Sequence, residues 1–291
     1  MLSEELSPEK WAFQISHVLN TVLGTEHFPI DIKKVAREYS LQICPDEPIT
    51  RVAGESLPGF EGGLFKAPNE EKGWGIFYNK DIASPGRINY TLAHEFGHYL
   101  LHRLKYPDGL RCGEQDFYRW ESEYNEIEKE ANNFAANLLM PLDDYRRQIA
   151  EASKIDLDMI SFVAERYGVS LLAALLRWIQ YTVQRAVLVV SRDGFILWAR
   201  SSKSAFKSGA FIRTANVPPV AIPEHSLAAG KGIISTEEAR AGNKLSSGIW
   251  FNEPCEELTI YSNQYDFVIS VLQLPRIAES SYEDIRIKQG I

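Results

Sequence analysis

The sequence predicts an α+β protein, because its helical patterns and its strand patterns occupy different parts of the chain. Two stretches, 87–103 and 126–141, have apolar residues at the spacing of amphipathic helices. From residue 186 onward, short β-branched and aromatic runs are separated by turns, and Asp193-Gly194 lies between two of them, as in a β-hairpin. We therefore expect three domains, which cover residues 1–150, 151–184 and 185–291.

The N-terminal part begins with two predicted helices and continues with strands. Ser7 can cap the first helix, Pro8 suits its first position and Gly24 ends it. The second helix is predicted over residues 29–39. Between residues 52 and 79, glycines and prolines separate short strand-like segments. We therefore expect strands joined by tight turns in this segment.

The aromatic-rich segment 73–79 has two interpretations. It is either an ordinary core strand or an edge strand, against which an extended peptide substrate could lie by β-addition. On the second interpretation, the residues that would hold the substrate are Gly75, Ile76 and Phe77.

The stretch 87–103 contains the pattern His-Glu-x-x-His, formed by His94, Glu95 and His98. Because residues four apart lie on one face of a helix, both imidazoles can reach a single zinc ion at about 2.0–2.1 Å. Glu95 lies beside them, where its carboxylate can take a proton from water activated by the metal. His102 follows one turn later, but it lies about 12 Å from His94 along the helix axis and cannot share the ion. We expect His102 to end the helix or to line the rim of the site.

A zinc peptidase needs a third protein ligand and an open position for water. The second amphipathic helix offers three carboxylates, those of Glu126, Glu128 and Glu130. Glu128 is preferred, because it shares a helix face with Asn132, whose amide could hydrogen-bond a ligand histidine. Glu130 is the alternative ligand.

Two blocks of the sequence, 91–102 with the His-Glu-x-x-His pattern and 128–141, together resemble the ImmA/IrrE family of bacterial metallo-endopeptidases. The similarity covers residues 25–145 best. It implies a zincin-like domain in which the two histidines of the first block and a glutamate of the second bind Zn²⁺, with Mn²⁺ as an alternative ion. It also implies that the glutamate of the first block is the catalytic base.

The resemblance implies a function as well. Members of the family cleave helix-turn-helix repressors of the XRE class, which releases genes of mobile elements or of stress responses, and others act within toxin–antitoxin pairs. Acidic residues between 114 and 130 would favour a basic partner, such as a repressor or an antitoxin. We therefore expect zinc-dependent cleavage of such a protein; the alternatives are a toxin-type peptidase and a metal-binding regulator without hydrolysis. The candidates for stabilising the oxyanion are Tyr90, Tyr118, Arg119 and Tyr124.

Residues 155–183 predict two helices, and the segment 164–170 resembles the first helix and the turn of a helix-turn-helix. A second helix that reads DNA needs exposed polar residues. Here it is mostly leucine and alanine, with Arg177 and Gln180 as the main polar exceptions. We expect this helix to be packed and direct DNA binding to be absent. For the β-rich C-terminal domain, the resemblance to the IrrE branch implies a GAF-like module; a packing or substrate-docking domain is the alternative.

Composition narrows the class of protein further. The net charge of −8 argues against broad affinity for nucleic acid. The N-terminus lacks the basic start and apolar run of a signal peptide, and no apolar segment is long enough to span a bilayer. Three isolated cysteines, Cys44, Cys112 and Cys255, are typical of free thiols in a reducing compartment. We therefore expect a cytoplasmic protein.

Overall fold

The computed structural model describes residues 6–68, 72–107, 109–113, 125–230, 242–262 and 266–277. Its described helices and sheets fit the predicted α+β class. The chain divides into two compact units, which are Met1–Tyr145 with Ala164–Ser170 and Arg146–Val163 with Leu171–Ile291. The predicted connector at 151–184 therefore contributes residues to both units, and the three-domain division stays a prediction.

The described elements of the N-terminal half are helices around a small sheet. In chain order they are α1 (Pro8–Leu23), α2 (Ile32–Ile43), β1 (Ile49–Glu55), β2 (Phe60–Lys66), β3 (Trp74–Asn79), α3 (Pro85–His102), β4 (Gly109–Gly113), α4 (Asn125–Leu139) and α5 (Leu142–Gln148).

Local sequence explains where the helices begin and end. The Ser7 hydroxyl accepts a hydrogen bond from the backbone amide of Lys10 at 3.3 Å, and a proline follows this cap, as predicted. The same device begins α3, where the Ser84 hydroxyl accepts from the backbone amide of Arg87 at 3.3 Å. Gly24 ends α1 with a φ of 80°, a conformation that glycine adopts without strain.

The sheet of the first unit has β3 in its interior. Among the described strands the order is β1-β3-β2-β4, with β1 parallel to β3 and the other pairs antiparallel. Because β3 is hydrogen-bonded on both sides, no peptide can be added to it as a further strand. The interpretation of Gly75, Ile76 and Phe77 as a substrate-binding edge strand is therefore wrong, and the alternative of a core strand is confirmed.

Helix α3 is buried along most of its length and contacts β2, β3 and α4. All its residues from Thr91 to Leu100 are buried. Gly97 lies where α3 and α4 pack closely, since a Cβ atom there would lie 2.9 Å from Cδ1 of Phe134 and 3.3 Å from Cα of Ala131. This close approach brings the first turn of α4 to the histidines of α3.

The described elements of the C-terminal half are helices and the six strands of a second sheet. They are α6 (Leu157–Tyr167), α7 (Leu171–Tyr181), β5 (Ala186–Arg192), β6 (Phe195–Ser201), α8 (Lys203–Lys207), β7 (Val220–Ala221), a 3₁₀ helix (Leu227–Ala229), β8 (Asn243–Leu245), β9 (Cys255–Ser262) and β10 (Phe267–Gln273).

All described neighbours in this second sheet are antiparallel, in the order β7-β6-β5-β10-β9-β8. The predicted hairpin is confirmed, because Asp193 and Gly194, with φ values of 51° and 81°, form the turn between β5 and β6. Val187, Val189 and Leu272 belong to its buried core. The described C-terminal residues are thus β-rich, as expected, whereas a separate domain of GAF-like character stays a prediction.

Helix α7 is packed rather than exposed. Of its two main polar residues, Arg177 is only 5% exposed and donates a hydrogen bond to the side-chain oxygen of Gln180 at 3.1 Å, whereas Gln180 itself is exposed. No single described helix has the length and apolar character needed to cross a membrane; α6 and α7 pass that test only as a pair, bent by 106°.

Candidate metal centre

Helices α3 and α4 bring three of the predicted ligands together. His94 and His98 lie on consecutive turns of α3, and Glu128 lies near the start of α4. All three are buried, and each can direct a ligand atom so that these atoms lie within 4.8 Å of one another. The preference for Glu128 over the neighbouring glutamates therefore agrees with the geometry.

The distances between these atoms suit a small cation. The Nε2 atoms of His94 and His98 are 2.9 Å apart, and the Glu128 carboxylate oxygens lie 3.0 Å from the first and 3.3 Å from the second. A tetrahedral zinc ion would separate its nitrogen and oxygen ligands by about 3.3 Å. Two imidazoles and a carboxylate are also a donor set that zinc accepts. The residues present therefore fit a bound zinc ion.

Asn132 holds the ring of His94, as predicted. Its Oδ1 atom lies 3.1 Å from Nδ1 of His94. Because this oxygen can only accept, we assign the ring hydrogen of His94 to Nδ1, which leaves the lone pair of Nε2 facing Glu128. Tyr90 adds a further contact, since its hydroxyl donates to the backbone oxygen of Asn132 at 3.2 Å.

The other two glutamates of the second block lie outside the ligand set. Glu126 is exposed. Glu130 lies with its Oε2 atom 2.8 Å from Nε2 of His102, so it contacts that histidine instead of a metal. His102 ends α3 as expected, but it is 1% exposed and its Nδ1 atom is 2.9 Å from Nδ1 of His98. The expectation that His102 lines the rim is therefore wrong.

The pKa values of the three candidate ligands depend on one another. Burial alone would raise the pKa of the Glu128 carboxyl, but His94 and His98 outweigh it and hold that pKa below its usual value. Burial, followed by the charge of His94, lowers the pKa of His98 to about 4. For His94 burial acts downward too, yet Glu128 and then Glu95 raise its pKa overall. Positive charge near the two rings would therefore stabilise the Glu128 carboxylate, and a divalent cation would supply it without a proton.

Glu95 lies beside the ligands and under the backbone of β2. It is fully buried, and a Cβ atom added to Gly62 would lie 3.0 Å from its Oε1 atom and 2.5 Å from Cγ2 of Thr91. Glycine at position 62 therefore allows the strand to pass directly against the carboxylate of Glu95.

Two features of this region escaped the sequence analysis. Glu61 is fully buried on β2, forms an ion pair with Arg87 and lies 3.4 Å from the Thr91 hydroxyl. The close passage of Gly62 is the second. The adjacent glycines at 62 and 63 in a strand-like segment were a signal for it, because a strand glycine often marks close backbone approach.

The sequence offered four candidates for stabilising the oxyanion, and the structure describes one of them. Tyr90 donates to Asn132, as described above. The other candidates, Tyr118, Arg119 and Tyr124, lie outside the described residues, as does most of the acidic run between 114 and 130.

Comparison with known proteins agrees with this geometry. Residues 46–178 match the family model of the IrrE N-terminal-like domain, Peptidase_M78, and this range contains the three candidate ligands and Glu95. A search of curated proteins returned no match. This match supports a metallopeptidase domain of the ImmA/IrrE family at residues 46–178.

Proposed function

We propose that this protein is a zinc-dependent endopeptidase that cleaves a basic helix-turn-helix repressor of the XRE type and thereby regulates a stress response or a mobile element. One observation carries the proposal: His94, His98 and Glu128 converge within hydrogen-bonding distances in a buried site, and Glu95 follows His94 on the same helix.

The residues divide the work of hydrolysis between them. His94, His98 and Glu128 would hold the zinc ion. When bound, zinc polarises the scissile carbonyl and makes water more acidic. The Glu95 carboxylate takes the proton of the attacking water and passes it to the leaving amine. Asn132 keeps the His94 ring in the orientation and tautomer that ligation requires.

The sheet suggests where the substrate lies. β4 is at the end of the described strand order and pairs with β2 alone among the described strands, so its outer edge can accept an extended peptide. β4 replaces β3 as the proposed substrate strand. Strand β2 passes directly against Glu95. A peptide added to the outer edge of β4 would therefore have only β4 between itself and β2.

Substitution of the base tests the proposed activity. The zinc-loaded protein is incubated with a candidate helix-turn-helix repressor, sought first among the products of the adjacent genes, and the fragments are identified by mass spectrometry. In Glu95→Gln we expect cleavage to fall about 10²–10⁴-fold, because general-base catalysis is lost. Zinc content should stay unchanged, because Glu95 is not a ligand. Glu126→Gln, which removes an exposed carboxylate from α4, is the matched control.

Other outcomes would point to the alternatives. Undiminished biological activity of Glu95→Gln would contradict hydrolysis and favour a metal-binding regulator. Growth arrest on expression without the neighbouring helix-turn-helix protein would favour a toxin-type peptidase over a regulatory one.

A further inference from the structure

We propose that His102 and Glu130 are positioning residues for the metal ligand His98: together they determine which of its ring nitrogens carries hydrogen and so direct Nε2 toward the ion. This inference rests on the proposed function, because it assumes that the site binds zinc. It gives a role to a histidine that helix geometry excludes from the ligand set and to a glutamate that the structure separates from the metal.

The contacts form a continuous chain from the surface to the site. The Glu130 side chain is 42% exposed, and its Oε2 atom lies 2.8 Å from Nε2 of His102. Nδ1 of His102, which is 1% exposed, lies 2.9 Å from Nδ1 of His98. Nε2 of His98 in turn lies 3.3 Å from the Glu128 carboxylate. Each link is short enough for a hydrogen bond or a shared cation.

The order of donors follows from the carboxylate at the outer end. An ionised Glu130 carboxylate can only accept, so Nε2 of His102 must donate to it. A neutral imidazole has one donor and one acceptor nitrogen, so Nδ1 of His102 becomes an acceptor. The hydrogen of the next link must then belong to Nδ1 of His98. The lone pair of Nε2 of His98 is therefore directed at the position between the ligands.

The second ligand histidine reaches the same state by a different route. Nδ1 of His94 donates to the amide oxygen of Asn132 at 3.1 Å. Both ligand rings thus carry hydrogen on Nδ1 and direct Nε2 toward Glu128. A partner on the far ring nitrogen is what metal-ligating histidines generally require, and its loss costs about 10–100-fold in metal affinity.

The test is the zinc affinity of a set of full-length variants, measured by competition with a chromophoric chelator. His102→Leu removes the acceptor for His98 and should weaken zinc binding about 10–100-fold. His102→Asn keeps an amide oxygen near the position of Nδ1, so we expect much of the affinity to return. Glu130→Gln should give an intermediate loss. Glu126→Gln removes the same charge from an exposed position of α4 and should bind zinc like the wild type.

A second readout separates positioning from a merely structural role. In ¹H–¹⁵N NMR spectra of the zinc-loaded protein, His98 should carry hydrogen on Nδ1, and this signal should change in His102→Leu and Glu130→Gln. Thermal unfolding of the metal-free variants identifies any that fail to fold; Glu130, being partly exposed, can be replaced with little effect on folding.

The outcomes distinguish this inference from the proposed function. Equal zinc affinities for the wild type, folded His102→Leu and Glu130→Gln would overturn the inference and leave the peptidase proposal intact. Weaker binding in these variants, together with full cleavage by Glu95→Gln, would support the inference and overturn the peptidase proposal. A wild-type protein that binds no zinc would overturn both.

Discussion

Two buried glutamates, Glu128 in the first unit and Glu257 in the second, are surrounded by different kinds of partner. Glu257 is fully buried and accepts hydrogen bonds of 2.9–3.1 Å from two backbone amides, an indole and two hydroxyls. These donors belong to Leu227, Ala228, Trp250, Thr259 and Ser270. The oxygens of Glu128 instead face the Nε2 atoms of two imidazoles.

The difference indicates which buried carboxylate is structural and which can serve as a metal ligand. Five fixed donors satisfy Glu257 completely, so it needs no ion and anchors the 3₁₀ helix (Leu227–Ala229) to β9. Around Glu128, the far ring nitrogen of His94 is engaged by Asn132, so a lone pair is directed at the carboxylate. Acceptors this close together are stable only with a proton or a cation between them. Burial alone does not distinguish these roles; the direction of the donors does.

The largest expected effect comes from replacing the ligand carboxylate. Loss of a residue that hydrogen-bonds a metal ligand weakens metal binding about 10–100-fold. Glu128→Gln removes a ligand itself, so we expect it to weaken zinc binding more than that. Chelator competition measures the affinity, with Glu126→Gln as the control. If the variant bound zinc as tightly as the wild type, Glu128 would not be a ligand, and its role would not differ from that of Glu257 in the way we propose.

Replacing the other buried glutamate, Glu257, should lower the stability of the second unit and leave metal binding unchanged. Glu257→Gln replaces an acceptor by an amide group that faces buried donors, and we expect the second unit to lose about 3 kcal/mol, since hydrogen bonds to a charged group contribute about 1.5–3 kcal/mol. Hydrogen exchange of the β9 and β10 amides measures this loss. Glu256→Gln is the matched control, because Glu256 forms a partly exposed ion pair with Lys154 that contributes at most about 1 kcal/mol.

Zinc affinity provides the other half of this test. It should be the same in Glu257→Gln and in the wild type. A variant that loses zinc without losing amide protection would show that Glu257 is not a purely structural carboxylate.

A methyl group on β2 tests the position of the base independently of the ligands. Gly62→Ala would place Cβ 2.5 Å from Cγ2 of Thr91 and 3.0 Å from Oε1 of Glu95, so Thr91 must shift and the adjacent carboxylate must give way with it. A displacement of about 1 Å can cost about 10²-fold in rate, so cleavage should fall by about that factor while zinc affinity stays the same. Gly63→Ala adds a methyl group beside the Phe65 ring, and it serves as the control. Unchanged cleavage by Gly62→Ala would contradict the close passage of β2.

The smallest expected effect concerns the environment of Glu257. Burial, followed by the charge of Glu257, raises the pKa of the Cys255 thiol to about 12. The unfolded thiol loses its proton near pH 8.5, so above that pH the folded state binds more protons. Its contribution to stability should therefore fall as pH rises above about 8.5, by at most about 1.4 kcal/mol over the first pH unit. Urea unfolding of wild type and Cys255→Ala at several pH values measures the difference; identical slopes would contradict the raised pKa.

The candidate ligands that the structure brings together could be selected from the sequence, because their positions depend on helix periodicity. The spacing of His94 and His98 places them on one face, and the same argument selects Glu128 and Asn132 on the second helix. The pairing of His102 with Glu130 depends on how closely two distant helices approach, which spacing within either helix does not determine.

The sheet is less accessible to prediction. The segment 73–79 was recognisable as a strand, but strand order depends on pairings between distant segments, so its interior position could not be read from local pattern. Glu257 gave no signal either, because a glutamate in an alternating strand normally faces solvent. Its donors lie on the 3₁₀ helix, on Trp250 and on strands β9 and β10, which the local sequence pattern does not bring together.

Anomalous diffraction at the zinc edge, from crystals of the protein soaked in or grown with zinc, tests the central claim most directly. We predict an anomalous peak contacted by Nε2 of His94, Nε2 of His98 and the Glu128 carboxylate, with Glu95 nearby but not bound. No peak at that position, or a zinc ion held by a different set of residues there, would contradict the account.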